Sequence, residues 1–156
     1  MHKADSTIKQ IFNLRFDVEY LFFKKFLNIY PMPHGINPTH IQTLMVLRFM
    51  GPSPMSSISQ HLVLEKGSFT PVANKLIQLG YVGKERSALD KRIYHLSLTN
   101  KGITLANDYA DAHHSFIKSV LGQLSDEKRT ELLKSIEVTN SILATLNDGQ
   151  EKSCSS

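Results

Sequence analysis

Cysteine and tryptophan are almost missing from this chain: among 156 residues there is one cysteine, Cys154, and no tryptophan. A single cysteine excludes an internal disulfide framework and a structural zinc site made of cysteines alone. It is typical of a reducing compartment, so we expect a cytoplasmic protein. The sequence also has no run of about 18 apolar residues that would span a bilayer. Near the N-terminus, Arg15, Asp17 and Glu19 interrupt the apolar stretch that an export signal would need.

The short motifs of common enzyme chemistries are missing too. The chain has no phosphate-binding G-x-x-x-x-G-K-[ST], no dinucleotide-binding G-x-G-x-x-G, no H-E-x-x-H, no C-x-x-C and no G-x-S-x-G. The sequence therefore predicts a protein that is not an enzyme and that requires no cofactor.

Positive charge is concentrated in the middle of the chain. The net charge is +4, but residues 66–102 alone hold seven basic and two acidic side chains. Residues 1–65 hold six and four, and residues 103–156 hold five and eight. Because a cluster of positive charge attracts a polyanion, the middle segment favours nucleic acid as a partner over a plain solvated surface.

Apolar periodicity predicts long helices at both ends of the chain. The first is expected from Ser6 to Tyr30, with apolar residues on more than one face, which indicates a second subunit. Two more are expected from Thr99 to Leu121 and from Ser125 to about Leu146, and the polar residues 147–156 are expected to be disordered. The positions expected to face inward in the last helix are Leu132, Leu133, Ile136, Ile142 and Leu146.

Shorter elements are predicted between these helices. Asn37 caps a helix that ends at Gly51, Ser56 caps a short helix, and Ser68 caps a third helix that ends at Gly80. In the third helix Val72, Leu76 and Leu79 are expected inside, with Thr70, Asn74, Lys75 and Gln78 mostly outside.

After Gly80 the apolar period changes from 3.6 to 2, which predicts strands at Val82–Arg86 and Arg92–Leu98 joined by a polar loop. Helix, short helix, helix and hairpin is the order of a winged helix-turn-helix. We therefore expect a mainly α fold with a small β-hairpin wing, in which residues 37–102 form the DNA-binding region.

Three motifs follow one another along this region. Gly67–Val82 reads G-S-F-T-P-V-A-N-K-L-I-Q-L-G-Y-V, Arg86 is followed by the D-x-R of Asp90–Arg92, and Leu98–Gly102 reads L-T-N-K-G. Together they resemble the recognition helix, the wing and the L-T-x-x-G of the MarR family of bacterial transcriptional regulators. The long terminal helices are similar to the dimerisation helices of that family in position and character.

The resemblance implies a homodimeric repressor of a pseudo-palindromic operator in double-stranded DNA, with residues 6–30 and 103–146 as its dimerisation region. It also implies a small-molecule effector, of unknown identity, bound between the dimerisation helices and the winged region. The candidate DNA-binding residues lie in the helix-turn-helix and the wing: Ser57, Lys66, Ser68, Thr70, Pro71, Asn74, Lys75, Arg86, Asp90, Lys91 and Arg92.

Each of these residue types suits a particular DNA contact. Asn74 can pair with an adenine through two hydrogen bonds, and Thr70 can touch a thymine methyl group or a phosphate. By resemblance, Arg92 or Lys91 would approach the minor groove, while Asp90 would orient Arg92 by ion pairing because phosphate repels a carboxylate.

Two alternatives share this fold. His113 and His114, with Asp111 nearby and with His34 and His40 earlier in the chain, are similar to zinc-responsive members of the family. Adjacent helical residues point about 100° apart, so only one of His113 and His114 would face a given site, and no metal site is predicted. The other alternative is a winged-helix module that binds protein, for which the basic wing residues would have no evident use.

Overall fold

The structure is a computed structural model that describes residues 2–62, 64, 67–87 and 92–153, with side chains from residue 6 to residue 146. Its elements in chain order are α1 (His2–Val18), a π-helical segment (Glu19–Lys24), α2 (Lys25–Ile29), α3 (Pro38–Met50), β1 (Ser53–Pro54), α4 (Met55–His61), α5 (Phe69–Gln78), β2 (Val82–Arg86), β3 (Tyr94–Leu98), α6 (Asn100–Leu121) and α7 (Asp126–Ser153). The predicted fold class, mainly helical with a small β wing, is confirmed. The chain has two compact units, residues 1–115 and residues 116–156.

The N-terminal helix differs from its prediction at its start and in its middle. It begins at His2, four residues before the predicted start at Ser6. From Glu19 to Lys24 the backbone is π-helical before the α-helix resumes and ends at Ile29. A π-helical turn breaks the regular i to i+4 hydrogen bonding, and such segments occur often at functional sites.

The start of α3 is confirmed by a complete capping box. Asn37 Oδ1 accepts a hydrogen bond from the His40 amide, and His40 Nδ1 accepts one from the Asn37 amide, each at 3.0 Å. Burial, and after it the positive charge of Lys75, lowers the pKa of His40, which favours the neutral imidazole that can accept this bond. The helix ends at Gly51, whose φ of 76° suits glycine.

The wing contains a strand that the sequence did not predict. Over the described residues the sheet has the antiparallel order β1-β3-β2, and Ser53 and Pro54 of β1 pair with Leu96 and His95 of β3. The chain enters α4 directly from β1, so Pro54 occupies the cap position. The prediction that Ser56 caps this helix is therefore wrong.

Strands β2 and β3 form the predicted hairpin, although β3 begins at Tyr94 and not at Arg92. The register pairs Val82 with Leu98 and Arg86 with Tyr94. Paired residues in an antiparallel ladder point to the same face, so one face carries core residues at its base and Arg86 and Tyr94 at its far end.

The predicted buried face of α5 is confirmed at one of its three positions. Leu76 is buried as predicted, whereas Val72 and Leu79 are only half-buried, and the other buried residues are Phe69 and Ala73. The Phe69 ring enters the core at the first helical residue, and this fixes the rotation of the helix. Other apolar side chains of the same core are Ile41, Leu44, Leu47, Ile58, Val82, Leu96 and Ala106.

The last two helices begin where predicted. Thr99 Oγ1 accepts a hydrogen bond from the Gly102 amide at 3.1 Å, and Ser125 Oγ accepts one from the Lys128 amide at 3.3 Å. The backbone of α7 stays helical to Ser153, beyond Leu146 where the helix was expected to end. Cys154 lies outside the described residues.

The expected inward face of α7 is not buried within one chain. Leu132 is half-buried, and the other four positions are exposed, namely Leu133, Ile136, Ile142 and Leu146. None of the helices in the described part of the chain is long and apolar enough to cross a membrane.

Candidate nucleic-acid interface

Helix α5 presents a polar face to solvent. Thr70, Asn74 and Gln78 follow one another at intervals of four residues and are all exposed, as is Pro71. A spacing of four places side chains on one side of a helix. The opposite side is held in the core by Phe69, so the polar face has a fixed direction.

Ser68 precedes α5 as predicted, but its side chain does not cap the helix. Its backbone is helical, with φ −70° and ψ −19°, and its hydroxyl makes no capping hydrogen bond. The residue is exposed. The N-terminal turn of α5 therefore has amide groups without this cap, and the positive end of a helix dipole attracts anions.

Lys75 does not share the exposed face, contrary to its prediction. It is half-buried, and its Cε lies 3.7 Å from the position that a Cβ on Gly35 would occupy. The aliphatic stem thus packs against the loop before α3, and the charge lies close enough to His40 to lower the pKa of that imidazole.

The remaining candidates lie on three other segments. Ser57 is half-buried on α4, where its carbonyl accepts a hydrogen bond from His61 Nδ1 at 3.0 Å. Arg92 is exposed just before β3. Lys66, Asp90 and Lys91 lie outside the described residues.

A cluster on the wing joins Arg86 to two residues that sequence reasoning missed, Lys84 and Tyr94. Arg86 Nε donates a hydrogen bond to Tyr94 Oη at 2.8 Å, and Lys84 Nζ lies 4.2 Å from the centroid of the tyrosine ring. The hydrogen bond from Arg86, with the charges of Arg86 and Lys84, lowers the pKa of Tyr94. Pairing the two predicted strands with residue 86 opposite residue 94 would have revealed this cluster.

The L-T-x-x-G motif connects the end of α5 to the start of α6. Thr99 Oγ1 donates a hydrogen bond to the Gly80 carbonyl at 2.7 Å, and Lys101 Nζ donates one to the Leu79 carbonyl at 2.8 Å. These carbonyls follow the last turn of α5, where the helix has no N–H donors of its own for them. Lys101 therefore has a structural role, although it contributes to the positive charge of the middle segment.

Gly102 completes this junction because the backbone of Tyr81 passes directly over it. A Cβ at this position would stand 2.0 Å from the Tyr81 carbonyl oxygen. The motif thus needs a residue without a side chain at its fifth position, which accounts for the glycine.

A cavity of about 530 Å³ lies between the π-helical segment, α2, α3, α4 and α6. Its lining is mainly apolar and includes Phe23, Leu27, Met45, Val46, Tyr109 and His113. Lys24 and Glu19, which form an ion pair at 3.3 Å, also line it. Pockets of this size and character bind small molecules.

Two of the candidate metal-binding histidines, His113 and His40, have structural partners. His113 Nε2 donates a hydrogen bond to the Phe22 carbonyl in the π-helical segment at 2.6 Å, and its ring stacks on Phe26 with centroids 4.7 Å apart. His40 is engaged in the capping box, while His114 is exposed. Among the described residues, no three His, Cys, Asp or Glu side chains come together as metal ligands.

Comparison with known proteins identifies the family. The sequence model of the MarR family matches residues 34–93. The HTH-type transcriptional regulator MhqR of Bacillus subtilis is 35% identical over 106 residues, which span 66% of this chain and 73% of MhqR. The chain is a member of the MarR family. As a member it is a transcriptional regulator and not an enzyme.

The chain is also similar to another regulator and to solved structures. The HTH-type transcriptional regulator YkoM of Bacillus subtilis is 33% identical over 104 residues, covering 64% of this chain and 65% of YkoM. A MarR family protein from Bacillus stearothermophilus superposes with a TM-score of 0.70 at 18% identity, covering 91% of this chain and 98% of that one. Streptococcus pneumoniae FabT, solved in complex with DNA, gives a TM-score of 0.66 at 22% identity over 93% and 98%. These structures confirm the winged-helix fold.

Proposed function

We propose that this MarR regulator is a homodimeric repressor that binds a pseudo-palindromic site in double-stranded DNA and releases it when a small molecule fills the cavity beside α3. The observation that carries the proposal is the exposed polar face of α5, held in a fixed direction next to a basic wing. The complex of the structural neighbour FabT with DNA supports it.

Helix α5 is suited to the major groove. An α-helix fits that groove, and side chains near its N-terminus reach the base edges. Asn74 offers the donor and acceptor pair that recognises adenine, while Thr70 offers a methyl group and a hydroxyl. Ser68 and the first amides of α5 are placed to bind a backbone phosphate.

The wing supplies the contacts beside the groove. Arg86 and Arg92 are both exposed, at opposite ends of the loop between β2 and β3. Arginine binds phosphate oxygens and enters narrow minor grooves. In this proposal Lys91, next to Arg92 in the sequence, adds positive charge, and Asp90 orients Arg92 as the family resemblance implies.

Exposed apolar side chains on the terminal helices support the homodimer. Ile11 and Phe16 of α1 are 63% and 60% exposed, and Ile142 and Leu146 of α7 are 59% and 63% exposed. Large apolar side chains exposed in such numbers are costly in water and typical of an interface. A second copy of the chain has the same surfaces, so a two-fold axis would bury them in pairs.

The cavity supports control by an effector. Its walls come from the π-helical segment and α6 on one side and from α3 and α4 of the winged region on the other. A ligand that fits only one arrangement of these walls would shift the population between DNA-binding and released forms. The apolar lining with one ion pair suits a small amphipathic molecule.

In vitro selection from random duplex DNA at two salt concentrations tests the proposal. We expect an inverted repeat with half-sites about one helical turn, roughly 34–36 Å, apart. Binding should weaken steeply with salt because phosphate contacts release counterions. Recovery of no motif from ligand-free protein, refolded to remove any bound molecule, would contradict the proposed function.

A further inference from the structure

On the wing, the side chain of Tyr94 contacts two cationic side chains, those of Arg86 and Lys84. Tyr94 Oη accepts the hydrogen bond from Arg86 Nε at 2.8 Å, and its ring centroid lies 4.2 Å from Lys84 Nζ and 5.4 Å from Arg86 Cζ. The strand register explains this arrangement. Arg86 is the direct partner of Tyr94, and Lys84 is two residues back on the same face.

Neither a core role nor a helix-capping role accounts for this cluster. Arg86 and Lys84 are exposed and Tyr94 is half-buried, so the ring contributes little to the buried core. Another lysine lies over a tyrosine ring but has a different role. Lys101 Nζ is 4.3 Å from the centroid of the Tyr81 ring and donates a hydrogen bond to the Leu79 carbonyl. That cation closes a helix end, whereas the two wing cations share one aromatic side chain at the surface.

We propose that Tyr94 is a positioning residue for DNA binding, which holds Arg86 and Lys84 on one face of the wing so that together they bind a backbone phosphate. The inference rests on the proposed DNA-binding function and deepens it. The two cations repel each other across one ring, and a phosphate between them would relieve that repulsion.

Holding the cations in advance lowers the cost of binding. Long cationic side chains lose rotamer freedom when they are immobilised on binding, and this loss weakens the affinity. Arginine has five N–H donors, and the bond to Tyr94 uses one of them, so the others remain for phosphate oxygens.

The test is a double-mutant cycle on the duplex that the wild-type protein selects, with fluorescence anisotropy as the readout. Tyr94→Phe keeps the ring under Lys84 and removes only the bond to Arg86, so affinity should fall roughly fivefold, as expected when one long side chain must be immobilised on binding. Arg86→Ala should weaken binding about tenfold and lower the slope of log K against log salt by about one. The double variant should bind like Arg86→Ala alone.

Two controls separate positioning from folding. Tyr20→Phe removes a hydroxyl from a tyrosine of the π-helical segment that also has a lysine, Lys25, over its ring at 5.3 Å, and it should leave DNA affinity unchanged. Thermal unfolding should show the same midpoint for Tyr94→Phe as for the wild type. Tyr94→Leu, which also removes the ring under Lys84, should bind more weakly than Tyr94→Phe.

The outcomes distinguish the inference from the function on which it rests. If the wild type binds the duplex and Tyr94→Phe binds equally well, the positioning role is refuted while DNA binding stands. The positioning role is also refuted if Tyr94→Phe lowers DNA affinity by the same factor in the Arg86→Ala background as in the wild type. If the wild type binds no duplex, the proposed function fails and this inference fails with it.

Discussion

Replacing Gly102 by alanine should destabilise the protein, even though alanine is normally the better residue within a helix. Gly102 lies in the first turn of α6, where a Cβ would stand 2.0 Å from the carbonyl oxygen of Tyr81, 3.1 Å from its carbonyl carbon and 3.3 Å from Leu98 Cδ2. Carbon and oxygen atoms in close contact are normally about 3.3–3.6 Å apart. The backbone at Tyr81 and the start of α6 would therefore have to separate by about 1 Å or more.

The energetic terms have opposite signs, and the steric term is larger. Helix propensity favours alanine over glycine by about 1 kcal/mol. Overpacking costs about 1–3 kcal/mol and occasionally more, and here the obstacle is backbone that cannot change rotamer. Separation also weakens the bonds from Thr99 to the carbonyls of Tyr81 and Gly80, at 3.1 and 2.7 Å, each worth about 1 kcal/mol. The net loss is about 2–4 kcal/mol.

Thermal unfolding followed by circular dichroism measures this loss. At about 2–4 °C for each kcal/mol in a chain of this size, Gly102→Ala should lower the midpoint by roughly 5–15 °C. Gly83→Ala is the matched control, because its Cβ would meet Ser97 Oγ at an ordinary 3.5 Å. A Gly102→Ala protein as stable as the wild type, or more stable, would show that the close approach of Tyr81 is not real and would refute the reasoning.

Two further predictions concern pH dependence and assembly. Burial lowers the folded-state pKa of His40, so the unfolded state binds the proton more readily and stability should fall as pH drops below 6.5. Urea unfolding at pH 8 and pH 5.5 measures this change in the free energy of unfolding. His40→Gln keeps a residue type that can complete a capping box and should reduce the pH dependence. An equal pH dependence in the variant would exclude His40 as its source. Ile142→Glu places a charge on the exposed apolar face of α7 and should convert a dimer to monomers in sedimentation equilibrium. A variant that remains fully dimeric would remove this part of α7 from the interface.

Local signals predicted the starts of several helices. The starts of α3 and α7 depend on caps within three residues of the helix, Asn37 and Ser125, and both were found from the sequence. The end of α3 at Gly51 follows from a glycine with positive φ. Because these interactions are local, a single sequence contains all the information they need.

Features fixed by distant residues were not predictable in this way. Strand β1 is two residues long and exists because it pairs with β3, some forty residues later. The carbonyl of Phe22 in the π-helical segment is bound by His113, ninety-one residues away in sequence. The buried face of α5 depends on how Phe69 fits the core, so apolar periodicity predicted Leu76 correctly but not Phe69 and Ala73.

In the candidate site, too, some features could be predicted from the sequence and others depend on the fold. Residue types and motifs located α5 and the wing, and Thr70 and Asn74 are exposed as expected. The packing of Lys75 against the loop at Gly35 and the missing cap at Ser68 required the fold. Tyr94 was overlooked because an aromatic residue in a strand is usually assigned to the core.

The central claim is that α5 reads DNA sequence, and parallel selections with the wild type and Asn74→Ala test it most directly. Gln78→Ala, at the C-terminal end of the same exposed face, is the matched control. We predict that the wild type and Gln78→Ala recover one inverted repeat, while Asn74→Ala loses its preference at a single adenine in each half-site, a loss of about 1–3 kcal/mol in discrimination. Identical motifs from wild type and Asn74→Ala, with the same preference at every position, would contradict the claim.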